Sequence, residues 1–181
     1  MDGLAWALPL EQLWEDHVAA HVQRLAKREG GTLRLGRRGQ TVVPLPWARS
    51  GSSTLKSLVP DMVVEKSDAV WVVDAKYKAH LADIDEAGWR RMADDVRESH
   101  RADLHQVLAY STLFDKPKVT ATLAYPLPRE TWIKLHERGL DRSSAHLYVG
   151  SRHIELEIWG LPFGPVSSRD GYGATEATDD S

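Results

Sequence analysis

Apolar and polar positions alternate along this chain in two registers, and the change from one register to the other marks out its elements. From Leu10 to Lys27 the apolar residues Leu10, Leu13, Trp14, Val18, Val22 and Leu25 recur at three- and four-residue intervals. That spacing predicts a helix opening after Pro9 and closing at Gly30-Gly31, with Glu15 at the border of its apolar stripe. Shorter runs rich in branched and aromatic residues predict strands at Thr32 to Leu35, Thr41 to Trp47, Leu58 to Glu65 and Ala69 to Tyr77, with a flexible loop over Arg49 to Thr54. Residues 80 to 96 are polar, with Trp89, Met92 and Val96 at helical spacing, and read as a weak amphipathic helix or a mobile flap. A firmer helix follows from His100 to Phe114, then a strand from Lys118 to Tyr125, a short helix from Arg129 to Arg138, and a hairpin of Ala145 to Val149 with His153 to Trp159.

The hairpin at the centre of this pattern has unusual charges. If Lys66 meets Ala69 across the turn, the same register sets Asp61 opposite Asp74, with Cβ atoms of opposed residues about 4.5 to 5.5 Å apart. Asp74 and Lys76 share a face because side chains alternate along a strand. One face of the pair reads Asp61, Val63, Val70, Val72, Asp74 and the other reads Met62, Val64, Trp71, Val73. Both faces are apolar, so the hairpin is central and its charges are not ordinary surface charges. Two facing carboxylates repel unless one is protonated or a cation lies between them. Mg²⁺ suits such a pair, because it is a hard ion that uses one or two carboxylates and keeps several waters. The Ala75 carbonyl supplies a further oxygen, and Lys76 can hold a water or a phosphate.

Composition bounds the setting. The chain has 181 residues, 42% of them hydrophobic, with seven Trp, enough for one globular domain with a real core. We expect that domain to span residues 1–164 and to be followed by a disordered acidic tail, 165–181, rich in Gly, Ser and Thr. No Cys is present, which excludes disulfides, thiolate zinc sites and iron–sulfur clusters and fits a cytoplasmic protein. There is no apolar run of membrane-spanning length. The formal charge of −3 disfavours DNA binding by the surface as a whole, but Arg24, Lys27, Arg28, Arg34, Arg37 and Arg38 form a basic stretch able to track phosphates. As a solvated helix end and turn, the same residues need no ligand.

The second helix carries further candidates. Leu104, Val107, Leu108 and Ser111 read as its buried stripe, with Asp103, Gln106 and Tyr110 on another face. A Gln and a Tyr one turn apart can reach a base edge, a phosphate or Lys76. His17 and His21, four apart on the first helix, offer a zinc pair, but without the internal Glu of the zinc-protease motif packing is the better reading. His80, His100 and His105 are scattered near the proposed site.

Four segments taken in order resemble the PD-(D/E)xK nucleases, and within them the McrC-like subunits of modified-cytosine restriction systems. They are Leu13-Trp14-Glu15, Val59-Pro60-Asp61, Val72-Val73-Asp74-Ala75-Lys76-Tyr77-Lys78 and Asp103-Leu104-His105-Gln106-Val107-Leu108-Ala109-Tyr110. The resemblance spans roughly residues 10 to 125 and implies an α/β, restriction-endonuclease-like fold, a central mixed sheet flanked by helices. It implies that Glu15, Asp61 and Asp74 bind metal, that Lys76 orients or helps to deprotonate the attacking water, and that Gln106 and Tyr110 support the site and substrate. The implied activity is Mg²⁺-dependent DNA endonuclease cleavage, with Mn²⁺ as substitute, in a restriction and defence system. McrC-like subunits carry an additional N-terminal region that engages a GTP-hydrolysing AAA+ motor, whereas this sequence opens almost directly on the nuclease helix. The expected partners are DNA, an AAA+ GTPase or ATPase motor of McrB type, and a second copy of the chain, since cutting both strands from one site per chain requires a dimer or repeated nicking. A RecB-like exonuclease domain shares the Gln106-to-Tyr110 spacing, and a non-catalytic DNA-binding or assembly module could keep the fold.

Overall fold

In the computed structural model, which describes residues 9–47, 55–77 and 94–164, a mixed sheet is sandwiched between helices. The chain runs through α1 (Leu10–Arg28), β1 (Thr32–Leu35), a 3-10 turn (Gly36–Arg38), β2 (Val43–Pro44), β3 (Ser57–Leu58), β4 (Met62–Glu65), β5 (Ala69–Ala75), α2 (Asp94–Ser111), β6 (Lys118–Leu127), α3 (Arg129–Glu137), β7 (Arg142–Val149) and β8 (Arg152–Pro162). Six strands form the main sheet in the order β1-β4-β5-β6-β8-β7. The β5–β6 and β6–β8 pairs are parallel, and the outer pairs are antiparallel. This is the α/β architecture expected from the sequence, a central mixed sheet with flanking helices.

The register of the central hairpin is the expected one. Met62 pairs with Val73 and Glu65 with Val70, while the Lys66 amide donates to the Ala69 carbonyl at 3.0 Å. Both faces of the hairpin are covered. Met62, Val64, Trp71 and Val73 pack with Trp14, Val18 and Val22 of α1, and Val63, Val70 and Val72 pack with Tyr110 of α2. The sheet is therefore buried on both sides, which is why its strands read as continuous apolar runs. Burial is deepest along β6, where Ala121 to Leu127 are all buried.

Several elements differ from the pattern-based expectation. The run Leu58 to Glu65 is not one strand: Pro60 lacks an N–H and ends the ladder, so β3 pairs with β2 in a small separate sheet and β4 begins after Asp61. Thr41 to Trp47 likewise contracts to Val43–Pro44, followed by one more bond across, from the Leu45 N–H to the Lys56 carbonyl at 2.9 Å, before Pro46, which has no N–H to give. Helix α2 starts at Asp94, earlier than His100, and ends at Ser111. On α1 the buried stripe is Trp14, Val18, Ala19, Val22 and Ala26, leaving Leu10 and Leu13 42% and 43% exposed. The two small alanines let the helix lie close to the sheet and rotate the stripe away from its N-terminal leucines. On α2, Asp103 and Tyr110 belong to the buried face with Val107 and Ser111, and Leu104 and Leu108 are its half-buried margin. The loop Arg49 to Thr54, the part of the 80–96 segment up to residue 93 with Trp89 and Met92, Lys78, His80 and the tail 165–181 lie outside the described residues.

Candidate active site

The site forms where β4 and β5 meet beneath α2, beside the N-terminal half of α1. A cleft of about 580 Å³ is lined by Gln12 and Glu15 of α1, Asp61 at the entry to β4, and Ala75, Lys76 and Tyr77 at the end of β5. Strand alternation sends Asp74 and Lys76 toward the α2 side of the sheet, and the hairpin register carries Asp61 to the same place. The contacts follow. Asp61 Oδ2 accepts the Ala75 backbone N–H at 2.9 Å, tying the two strands together at the site. Lys76 Nζ lies 2.6 Å from Asp74 Oδ2 and donates to Gln106 Oε1 at 2.9 Å. Gln106 Nε2 in turn donates to Tyr110 Oη at 2.9 Å, so both ends of the Gln106 amide are used and its orientation is set. The structure thus brings Asp61, Asp74, Lys76, Gln106 and Tyr110 into one connected cluster.

Electrostatics mark this cluster as a place that wants positive charge. Asp74 is 1% exposed, and its Oδ2 meets Lys76 as an ion pair but has no donor of good hydrogen-bonding angle. Burial and the neighbouring Asp74 charge push the Asp61 carboxyl up to about 7, with Glu15 adding to the effect, against the lowering influence of the Ala75 N–H and Lys76. Burial works against the Lys76 ammonium, but the Asp74 carboxylate outweighs it and the lysine pKa lies above its ordinary value. Lys76 is therefore a firm cation at neutral pH.

Glu15 is half-buried on the α1 wall, close enough to act on Asp61 through its charge. It does not join the two aspartates in a ready-made cluster: among the described residues, no three His, Asp or Glu side chains gather around one centre. Mg²⁺ does not require three, since one or two carboxylates and backbone oxygen suffice. The carboxylates of Asp61 and Asp74 and the adjacent Ala75 backbone are hard oxygen donors of the kind such an ion takes.

Beyond these residues, α2 and β6 carry a polar layer that sequence reasoning left unassigned. Tyr125 Oη donates to Asp103 Oδ2 at 2.9 Å and lies 2.9 Å from His100 Nδ1. Burial, with the Asp103 carboxylate, holds the Tyr125 hydroxyl above its ordinary pKa, so it stays protonated as a donor. Tyr125 follows Ala124, whose carbonyl accepts the Lys76 N–H at 2.9 Å, which puts this layer next to the site. Alternation from Leu123 could have revealed Tyr125 as a buried polar group, but nothing in its spacing named the partner. His105 is exposed.

The two histidines of α1 pack instead of chelating. His17 stacks on Trp14 with ring centroids 5.6 Å apart, and His21 meets Trp159 edge-on at 5.8 Å. Burial, reinforced by Arg142 and Arg24, lowers the His21 pKa to about 4, so the ring is neutral at physiological pH. Part of the basic stretch is internally paired, Arg34 with Glu65 at 3.2 Å and Arg37 with Asp16 of α1. Among the described residues no helix is long and apolar enough to cross a membrane.

Comparison with curated proteins finds no match. A family model does match, over residues 3–126, which takes in α1, the central hairpin, α2 and most of β6. The chain belongs to the family described as the McrBC 5-methylcytosine restriction system component.

Proposed function

We propose that this chain is a PD-(D/E)xK-type, Mg²⁺-dependent DNA endonuclease, the McrC-like cutting component of a restriction system that works with an AAA+ motor of McrB type. The observation that carries this reading is Asp61 at the cleft, bonded to the Ala75 N–H and within reach of the Asp74 charge, with Lys76 against the buried Asp74 oxygen. Two such carboxylates share one ammonium, and a divalent ion between them would offset the repulsion that raises Asp61.

Asp61, Asp74 and the Ala75 carbonyl would hold the ion, with Glu15 reaching it from α1. Held there, the ion would supply a lowered pKa for a bound water and positive charge for the phosphoryl group. The protein's own residues do the positioning. Lys76, kept protonated by Asp74, donates to a non-bridging phosphate oxygen or to the attacking water, and it stabilises the charge that grows at phosphorus. Its place between Asp74 and Gln106 suits it to orient the attacking water and to stabilise charge at phosphorus. Gln106 holds the ammonium in place, and Tyr110 holds Gln106. The basic turn bearing Arg38 lies beside Asp61 and is available to the DNA backbone.

The test is cleavage of supercoiled plasmid by the purified chain, alone and with its motor partner. Nicking or linearisation in Mg²⁺ or Mn²⁺ that stops in EDTA is the expected outcome, and circular DNA distinguishes it from an end-dependent exonuclease of the RecB type. Cleavage that persists undiminished in EDTA would overturn metal dependence, and binding to DNA with no cleavage under any of these conditions would mark an assembly module.

A further inference from the structure

We infer that the turn from Leu35 to Thr41 is a positioning device for Asp61, in which Thr41 and Gly36 grip the two peptide groups flanking that carboxylate; this rests on the metal-site reading above. The β1–β4 ladder ends at Leu35 and Met62. Past that point the Gly36 N–H donates to the Asp61 carbonyl at 2.7 Å, and the buried Thr41 hydroxyl donates to the Pro60 carbonyl at 2.5 Å. The carbonyls before and after the Asp61 Cα are thus both held. With Pro60 fixing its own φ, little backbone freedom remains at Asp61, and the Ala75 N–H to Oδ2 bond takes up its side-chain freedom.

The grip is itself rigid. Gln40 closes the turn on Leu35 twice, its Oε1 accepting the Leu35 N–H at 3.0 Å and its N–H donating to the Leu35 carbonyl at 3.2 Å. Gly39 sits at φ 68°, where a side chain would be strained. Gly36 has no space for one: a Cβ there would lie 2.5 Å from the Pro60 carbonyl oxygen and 3.3 Å from the Asp61 Cα. Both are backbone atoms, so a methyl group could be admitted only by displacing the peptide that carries Asp61. From the same turn Arg37 pairs with Asp16, the residue after Glu15 on α1. One seven-residue turn therefore spans the two sides from which the site's carboxylates come.

Residues that orient metal ligands without touching the metal typically change affinity or activity by about 10- to 100-fold when altered. The experiment is Mn²⁺ binding to the full chain, read by the loss of free-ion electron paramagnetic resonance signal, together with the Mg²⁺ concentration that half-saturates cleavage. Thr41→Val and Gly36→Ala should each weaken Mn²⁺ binding about tenfold and raise the half-saturating Mg²⁺ by a similar factor, and Thr41→Ser should restore both. Gly160→Ala is the stability control: its Cβ would strike the Leu127 side chain at 2.2 Å, far from the turn in the chain, and should lower Tm without changing Mn²⁺ affinity. Thr41→Val with wild-type Mn²⁺ affinity would overturn the inference, as would Gly160→Ala weakening Mn²⁺ as much as Thr41→Val. A wild-type chain that binds no Mn²⁺ would remove the metal reading and this inference with it.

Discussion

Asp74→Asn should abolish DNA cleavage, lowering the rate by about 10³-fold or more, while leaving the protein folded. The size follows from what the carboxylate does: one side of the metal pair supplies several kcal/mol of transition-state charge stabilisation, and about 4 kcal/mol corresponds to a factor of 10³. Stability should barely change because two effects oppose each other. The substitution removes the partner of Lys76 in a buried ion pair, but it also removes the repulsion between Asp74 and Asp61. Lys76 keeps Gln106 and the Asp61 charge, so it is not left stranded. The check is a plasmid assay run beside a thermal melt, and an Asp74→Asn protein with intact Mg²⁺-dependent cleavage would remove Asp74 from the site.

Lys76→Met has a different expected profile, with losses in both activity and stability. Its ammonium is the counter-charge for a carboxylate that is 1% exposed. Removing one partner of a buried pair commonly costs about 3 to 5 kcal/mol, because the remaining charge has no water to turn to. Cleavage should fall by about 10² to 10³, as expected when a preorganised donor is taken from a developing charge. Divalent metal should rescue part of the stability, raising the Tm of Lys76→Met more than that of the wild type, since the ion would return positive charge to the two aspartates. Lys76→Arg should restore little cleavage, because a planar guanidinium does not reproduce a compact ammonium seated between Asp74 and Gln106. Equal Mg²⁺-induced Tm shifts in Lys76→Met and wild type would show that Lys76 and the metal do not share these carboxylates.

The parts of this site governed by local periodicity were legible in the sequence. Alternation along β5 fixes Asp74 and Lys76 on one face, a single assumption about the turn aligns Asp61 with them, and helical spacing sets Gln106 under Tyr110. What the sequence concealed depends on side-chain size and on long-range hydrogen bonds. Ala19 and Ala26 look unremarkable in a hydrophobic pattern, yet their small volume seats α1 on the sheet and turns Leu10 and Leu13 outward. Pro60 was visible as half of a motif, but its effect on the ladder, splitting one apparent strand into β3 and β4, required knowing which N–H the ladder needed. The grip of Thr41 on Pro60 joins residues 19 apart through one hydroxyl, a pairing that no periodicity encodes. Helical spacing groups Asp103 with Gln106 and Tyr110 on a face apart from the buried stripe, whereas its bond from Tyr125 lets it lie buried beside Val107.

The account's central claim is that Asp61 and Asp74 hold a divalent metal, and anomalous diffraction from crystals grown with Mn²⁺ tests it most directly. The predicted result is a peak within about 2 to 2.5 Å of a carboxylate oxygen from each aspartate and of the Ala75 carbonyl, absent from Asp74→Asn crystals grown in the same way. An empty position there at saturating Mn²⁺, with Lys76 still seated on Asp74 as the sole counter-charge, would contradict it.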